Sequence, residues 1–264
     1  MKLSIIIIDF NSSQYIESCL KSLNGFAPSL PYEIIVVDNA SLENHLESYK
    51  QINHVVKTYR LDKNIGFGAA NNFAVEQSTG EYILLLNPDT LIVDDSIDTM
   101  AKFLELHQEI GALTCLLYGK DKKTLQRHFF GKFQSLLGLT LRHYNYQKVE
   151  KDKEFFYTDI VTGACLMIRR DLFKKVGRFD ENIFMYLEDD DLCKRLVDYG
   201  YKNAVLNAAK IIHLEGKSSN RREKKKYYFA SQNYYWQKHN GYFATLMMKA
   251  LRFPFKIFVF LRSK

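Results

Sequence analysis

Four acids stand in a row at Glu188-Asp189-Asp190-Asp191, and a further carboxylate, Asp89, closes the run Tyr82-Ile83-Leu84-Leu85-Leu86-Asn87-Pro88-Asp89. Two kinds of chemistry follow. A carboxylate beside an amide, placed where an apolar strand stops at a proline, suits a divalent cation and the diphosphate such a cation would neutralise. Asn, Pro and Asp are also the commonest turn residues, so the tripeptide takes its meaning from its surroundings. The row of acids is different. One acid is enough to complement a helix start. Four of them behind Phe184-Met185-Tyr186-Leu187 set at least one in a partly apolar cleft, where its pKa suits a general base.

The elements that must position these groups follow a repeating pattern. Leu3 to Ile8 reads as a buried strand, and Ile16, Cys19, Leu20 and Leu23 then recur at helical spacing. Tyr32 to Val37 is a second strand, Val55 to Leu61 a weaker third, Ala69 to Gln77 a helix, and Tyr82 to Leu86 a strand buried on both faces. This alternation predicts an α/β fold with a mostly parallel sheet and right-handed crossovers. Asp9, Asp38 and Asp89 each follow a strand, so a parallel sheet brings all three to one edge. There they repel one another unless a cation or the donors of a nucleotide intervene. Gly66 and Gly68 do not complete a GxGxxG pattern, so a dinucleotide fingerprint is absent.

Farther along, Ile97, Met100, Ala101 and Leu104 mark a helix and Gly111 to Tyr118 a strand. Residues 119–157 turn to lysines and aromatics with weak periodicity, which reads as a mobile insertion holding one helix and shaping the substrate side. Regular structure resumes at Thr158 to Arg169, interrupted by Gly163. Leu192, Leu196 and Tyr199 share a helix face that ends at Gly200, which puts the four acids at the helix start.

At 264 residues and 47% apolar content, the chain can hold one large domain, or a domain with an appendage. Its four cysteines lie far apart and form no CxxC pair, which suggests neither a disulfide framework nor a zinc site and fits a reducing cytoplasm. The apolar run at the amino end is too short for a signal peptide, and no stretch of about 18 uninterrupted apolar residues predicts a membrane span. The formal net charge is +7, yet from Lys217 onward twelve Lys or Arg face a single acid, Glu223. The remainder is therefore net acidic, and the basic end calls for an anionic surface. Tyr227, Tyr228, Phe229, Tyr234, Tyr235 and Trp236 suit a membrane interface. Thr245, Lys249, Arg252 and Lys256 form a basic helical face opposite Leu246, Met247, Ala250, Leu251 and Phe258, with Pro254 kinking or dividing the helix. Peripheral attachment to anionic lipid is expected, with an apolar side packed on the domain as the alternative, and no nucleic-acid partner.

In their order along the chain, five motifs carry a resemblance. Asp38-Asn39-Ala40-Ser41, Asn64-Ile65-Gly66-Phe67 with Asn71-Asn72, and Leu86-Asn87-Pro88-Asp89-Thr90 come first. Thr162-Gly163-Ala164-Cys165 and Phe184-Met185-Tyr186-Leu187-Glu188-Asp189 through Leu196 complete the set. Together they resemble family 2 inverting glycosyltransferases of the GT-A fold, in the rhamnosyltransferase-like branch that builds bacterial surface polysaccharides. The resemblance covers residues 1–219, with 119–157 as a variable acceptor-side insertion and 220–264 as a helical tail. It implies a nucleotide-sugar donor (dTDP-rhamnose or a UDP-hexose), a glycan or glycolipid acceptor, a divalent metal (Mg²⁺ or Mn²⁺) and inversion at the anomeric carbon. By position, Asp38 would accept a hydrogen bond from the nucleotide base, Asp9 and Phe10 would line the same pocket, and Asn64, Gly66, Asn71 and Asn87 would border it. Asp89 would hold the metal at a position the family writes Asp-x-Asp and this chain writes Asn-Pro-Asp, so one ligand is a neutral amide or absent. His213 would complete the metal or diphosphate site, and Asp189 would be the catalytic base. A nucleotidyltransferase would need a Gly-rich basic loop after the first strand, which Asn11 to Tyr15 lacks. A catalytically inactive sugar-nucleotide-binding or membrane scaffold is the remaining alternative, and the presence of Asp89 and Asp189 argues against it.

Overall fold

The computed structural model describes residues 2–136, 138, 147–215 and 221–261. Its first half is built of β1 (Leu3–Asp9), α1 (Ser13–Gly25), β2 (Tyr32–Asp38), α2 (Leu46–Ile52), β3 (Val56–Arg60), α3 (Phe67–Glu76) and β4 (Tyr82–Leu86). Then come β5 (Thr90–Ile92), α4 (Ser96–Leu106), β6 (Ile110–Tyr118), β7 (Phe130–Gly131), β8 (Phe155–Thr158) and β9 (Ile160–Val161). The chain closes with β10 (Cys165–Arg169), α5 (Arg170–Lys175), α6 (Glu188–Asp198), β11 (Lys202–His213) and α7 (Arg221–Leu261).

The main sheet runs β3-β2-β1-β4-β10-β6-β11-β5, with β8 added on β11. Side chains of β1 alternate between two cores. Ile5 and Ile7 pack with α1 and α4 on one face, and Ile6 and Ile8 pack with α3, α5 and α6 on the other. That two-sided burial is why β1, β2 and β4 are continuous apolar runs. β3, β2, β1, β4, β6 and β11 all point one way, as the alternation of elements predicts. β10 corrects the expectation in detail, because it runs antiparallel between β4 and β6. A strand reached through the 119–157 excursion, with no crossover helix directly before it, is free to enter the sheet in the opposite sense.

Two further expectations change. The 119–157 segment is fastened at both ends: Tyr118 bridges Leu125, β7 pairs with β9, and β8 joins β11. Phe130 and Phe156 bury themselves in a small core of their own. The helix expected there falls in part on residues 137 and 139–146, outside the described residues, as do Lys217 and the proposed domain boundary at 219. The C-terminal helix breaks at Gly241, whose φ of 80° and ψ of 175° are non-helical, whereas it continues through Pro254. Its first arm is no free membrane belt, since Phe229, Tyr235 and Trp236 are buried, the last two in one cluster with Leu187 of the body. The second arm folds back on the first: Arg252 donates to Gln232 Oε1 at 2.7 Å and Asn233 Oδ1 at 2.8 Å and lies over the Phe229 ring. Thr245 and Met248 are buried on the same side, so the expected basic face is split, with Thr245 and Arg252 inward and Lys249 exposed.

Candidate active site

The β1–β2 register places Asp9 level with Asp38 at the carboxyl edge of the sheet. Asp9 is buried, and its two oxygens are taken up by the Ser12 amide and hydroxyl (3.0 and 2.8 Å) and the Tyr49 hydroxyl (2.7 Å). It therefore shapes the floor, and the half-exposed Phe10 stands at the rim. Asp38 Oδ1 accepts from the Ser41 amide at 2.7 Å; Oδ2, though 2.9 Å from Arg60 Nη1, has no aligned hydrogen-bond donor. That leaves Oδ2 with acceptor capacity toward a ligand.

A second loop is zipped onto this edge. The Asn39 amide donates to Asn64 Oδ1 at 3.0 Å and accepts from the Ile65 N–H at 3.0 Å, while Asn64 Oδ1 also receives the Gly66 N–H at 2.9 Å. Gly66 sits at φ 90°, and a Cβ there would meet the Phe184 carbonyl at 2.3 Å, so only glycine lets the two loops touch. Asn71 lies in the helix that follows. It is buried in α3, where its amide nitrogen donates to the Phe67 carbonyl at 2.9 Å and so braces the helix turn beside Gly66.

The Asn87-Pro88-Asp89 turn leaves β4 and enters β5, whose Thr90 is paired with His213 of β11. The register brings the His213 ring to Asp89, with Nε2 and Oδ1 3.2 Å apart and both groups largely buried. His213 Nε2 nonetheless has no aligned hydrogen-bond partner. Its other ring nitrogen, Nδ1, lies 3.1 Å from Gln126 Oε1, and Phe129 packs edge-on to the ring at 4.7 Å. Among the described residues no cluster of three or more His, Cys, Asp or Glu could hold a metal, so this pair is the candidate. It fits one. Two ligand atoms about 3 Å apart would suit a shared divalent cation, which would supply positive charge at this end of the edge.

The four acids occupy the first turn of α6 behind two residues in the left-handed region, Tyr186 (φ 69°) and Leu187 (φ 67°). Such backbone is costly for non-glycine residues and persists where packing over-determines it. Here Phe184 and Tyr186 lie against Tyr227 and Tyr228 of the first C-terminal arm, and the Met185 carbonyl accepts from Ser231 at 2.8 Å. The acids differ sharply in environment. Asp191 is fully buried and bound by Arg195, Lys238 and His239 at 2.6 to 2.9 Å. Burial alone would raise its pKa, but His239, Arg195 and Lys238 hold it below the usual carboxylate range. Glu188 is buried with Oε2 unpartnered, and burial, followed by the charge of Asp189, pushes its carboxyl well above that range. Asp189 and Asp190 keep part of their surface open, yet burial pushes them up to about 6 and about 7, the Gly163 amide partly offsetting it at Asp189. Asp189 Oδ1 lies so close to Gly163 that a Cβ there would meet it at 3.0 Å. The next residue, Ala164, accepts the Asn87 N–H at 3.0 Å. Two adjacent residues thus join the Asp89 turn to the Asp189 turn.

The glycosyl transferase family 2 model matches residues 4–177, about two thirds of the chain. The chain belongs to this family. Among curated relatives, rhamnosyltransferase WbbL of Escherichia coli K12 is 30% identical over 224 residues, covering 79% of this chain and 82% of its own length. The N-acetylglucosaminyl-diphospho-decaprenol L-rhamnosyltransferase of Mycobacterium tuberculosis is 25% identical, covering 83% of this chain and 78% of its own. The fold is shared with GalNAc-T7 solved with UDP, GalNAc and Mn²⁺, at TM-score 0.69 and 15% identity, over 89% of this chain and 50% of that one. It is shared too with Staphylococcus aureus TarS 1-349 in complex with UDP-GlcNAc, at TM-score 0.64 and 19% identity, over 97% of this chain and 73% of that one.

In this family 2 glycosyltransferase the structure therefore gathers Asp9, Phe10, Asp38, Asn64 and Gly66 at one end of the edge, Asn87, Asp89 and His213 at the other, and Asp189 against Gly163 between elements. Gln126 is missing from the sequence reading. It lies in a lysine-rich stretch without periodicity, and its partner His213 is 87 positions away. Arg60 was likewise unassigned, and Asn39 appeared only within the Asp38-Asn39-Ala40-Ser41 motif, with no role of its own.

Proposed function

We propose that this glycosyltransferase moves a sugar from a nucleoside-diphosphate donor to a hydroxyl of a growing, lipid-linked surface glycan, with inversion. Asp189 is the base. Its carboxylate takes the acceptor hydroxyl proton as that oxygen bonds to the anomeric carbon, and the electron pair of the breaking carbon–oxygen bond leaves with the diphosphate. Asp38, through Oδ2, receives a donor N–H of the base, and Asn64 and Gly66 border the nucleotide. Asp89 and His213 hold a divalent cation, Mg²⁺ or Mn²⁺, which when bound supplies positive charge to the departing diphosphate. The observation that carries the reading is the Gly163-Ala164 step, which touches the Asp189 carboxylate on one side and the Asp89 turn on the other. A retaining hydrolase would need a second carboxylate flanking the same bond as acid.

The names of two relatives support a rhamnosyl donor, and the decaprenol in one of them a lipid-linked acceptor; dTDP-rhamnose is the donor we propose, with a UDP-hexose as the alternative. Residues 1–219 form the transferase unit in this reading, with 119–157 on the acceptor side. Residues 220–264 support the acid turn and present the second arm to anionic lipid at the inner face of the cytoplasmic membrane. No helix among the described residues is long and apolar enough to cross a membrane.

A thermal-shift panel of nucleotide sugars with and without Mn²⁺ or Mg²⁺ tests the donor site. Ligand at about 100 times its dissociation constant stabilises by about 2.7 kcal/mol, a shift of several degrees. One donor should give a metal-dependent shift that Asp89→Ala loses. No shift with any donor, in folded protein, would favour the inactive scaffold.

A further inference from the structure

Gln126 grips His213 at two points. Its Nε2 donates to the His213 backbone carbonyl at 3.0 Å, and its Oε1 lies 3.1 Å from Nδ1 of the same residue's ring. The two contacts are not interchangeable. A backbone carbonyl can only accept, so the end of the carboxamide that meets it must be the NH₂ group. The other end is then the oxygen, which also can only accept. Nδ1 must therefore carry a hydrogen, and in the neutral ring the lone pair falls on Nε2.

That nitrogen is buried, has no aligned hydrogen-bond donor, and lies 3.2 Å from Asp89 Oδ1. An imidazole lone pair facing a carboxylate oxygen is an unfavourable juxtaposition of two acceptors, and a cation shared between them resolves it. Gln126 is itself buried, its backbone N–H is bonded to the Leu117 carbonyl at 2.8 Å, and Phe129 fixes the ring plane edge-on. The carboxamide thus has no freedom to turn over. We infer that Gln126 is a positioning residue that locks His213 in the Nδ1–H tautomer, aiming the Nε2 lone pair beside Asp89 as a cation ligand.

The inference rests on the reading that Asp89 and His213 share a cation, and the two are separable by experiment. In metal-free protein carrying ¹⁵N-histidine, two-bond proton–nitrogen correlations show which ring nitrogen is protonated, with His213→Gln identifying the signal. The expected result is a protonated Nδ1 in the wild type; a protonated Nε2 in the neutral ring overturns the inference without any variant. Mn²⁺ binding, followed by loss of the free-ion electron paramagnetic resonance signal in the presence of UDP, provides the second readout. Gln126→Leu should weaken Mn²⁺ binding by about 10- to 100-fold, the usual effect of losing the group that orients a ligating histidine. Gln126→Glu should recover only part of it, because a carboxylate still accepts from Nδ1–H but has no hydrogen for the His213 carbonyl. If Gln126→Leu binds Mn²⁺ like wild type while Asp89→Ala does not, the role of Gln126 fails and the cation site stands. If Asp89→Ala also binds like wild type, the site itself is wrong.

Discussion

At the scale of single residues, four neighbouring acids have three different fates, and environment decides each. Asp191 is paired on all sides, Glu188 is buried and unpartnered, and Asp189 and Asp190 are partly open with carboxyls pushed up to about 6 and about 7. A base that must accept a proton works only when ionised, so kcat/KM should climb about tenfold per pH unit below about 6 and level off above it. Asp189→Asn should lower kcat by about 10²- to 10⁴-fold and abolish that limb. The same burial acts against the fold. Between the unfolded value of about 3.9 and the folded value of about 6, the folded protein keeps a proton that the unfolded chain has released. Stability therefore falls as pH rises through that window, and Asp189→Asn should melt no lower than wild type at pH 7. A variant that is inactive but also melts much lower would mark Asp189 as structural. Asp38, Asp89 and Asp189 were readable in the sequence as candidates because carboxylates at strand ends and helix starts stand out against apolar runs, and His213 through the resemblance alone. Gln126 and Asn39 were not, because an amide's role depends on which atoms it meets across the fold.

At the scale of elements, α6 and the first arm of α7 are joined by a buried charge cluster. Asp191 is fully buried, Arg195 reaches it from the next turn, and Lys238 and His239 reach it from the C-terminal helix. Asp191→Asn keeps the shape but leaves Arg195 and Lys238 short of their shared counter-charge. Removing one partner of a buried pair costs about 3–5 kcal/mol, so the melting temperature should fall by roughly 10 °C. The exposed pair Lys194–Asp198 on the same helix is the comparison, since solvent screens it and Lys194→Met should change stability by less than about 1 kcal/mol. Equal losses from the two variants would refute the cluster's role. The sign with pH follows from Asp191 being held below the usual carboxylate range. Its contribution is complete at neutral pH and drains away only as pH falls through that depressed value. The central strands were legible from their apolar runs, as was α6 from Leu192 and Leu196, although Tyr199 proves half exposed. The reversal of β10 was not, because strand direction depends on the path of the preceding connection. The break in α7 had its own signal, Asn240-Gly241, a turn dipeptide. Pro254 drew the reading away from it, though a proline removes one backbone donor without always ending a helix.

At the scale of the whole molecule, charge and apolar surface divide unevenly between the α/β body and the C-terminal hairpin. The inward side of the second arm, Thr245, Met248 and Arg252, is spent on the first arm and the body. On the opposite arc Tyr242, Phe243, Leu246, Met247 and Phe253 recur at helical spacing, with Phe243 81% and Phe253 63% exposed, and Lys249 is exposed beside them. Scattered exposed apolar residues are ordinary, but an arc of aromatic and aliphatic side chains beside a lysine is a surface that an anionic bilayer would fit. A nucleic-acid partner would instead engage basic side chains and leave the phenylalanines idle. Each buried phenylalanine contributes about 1.5–3 kcal/mol, so Phe243→Ser with Phe253→Ser should weaken binding to vesicles rich in phosphatidylglycerol by at least about tenfold. Both side chains point to solvent, so the doubly substituted protein should melt with the wild type and bind nucleotide unchanged. Sedimentation of wild type with anionic but not with neutral vesicles is the expected pattern, with DNA unable to compete. Wild type that stays in the supernatant with both kinds of vesicle would remove the membrane from this account and leave the arc to a protein partner.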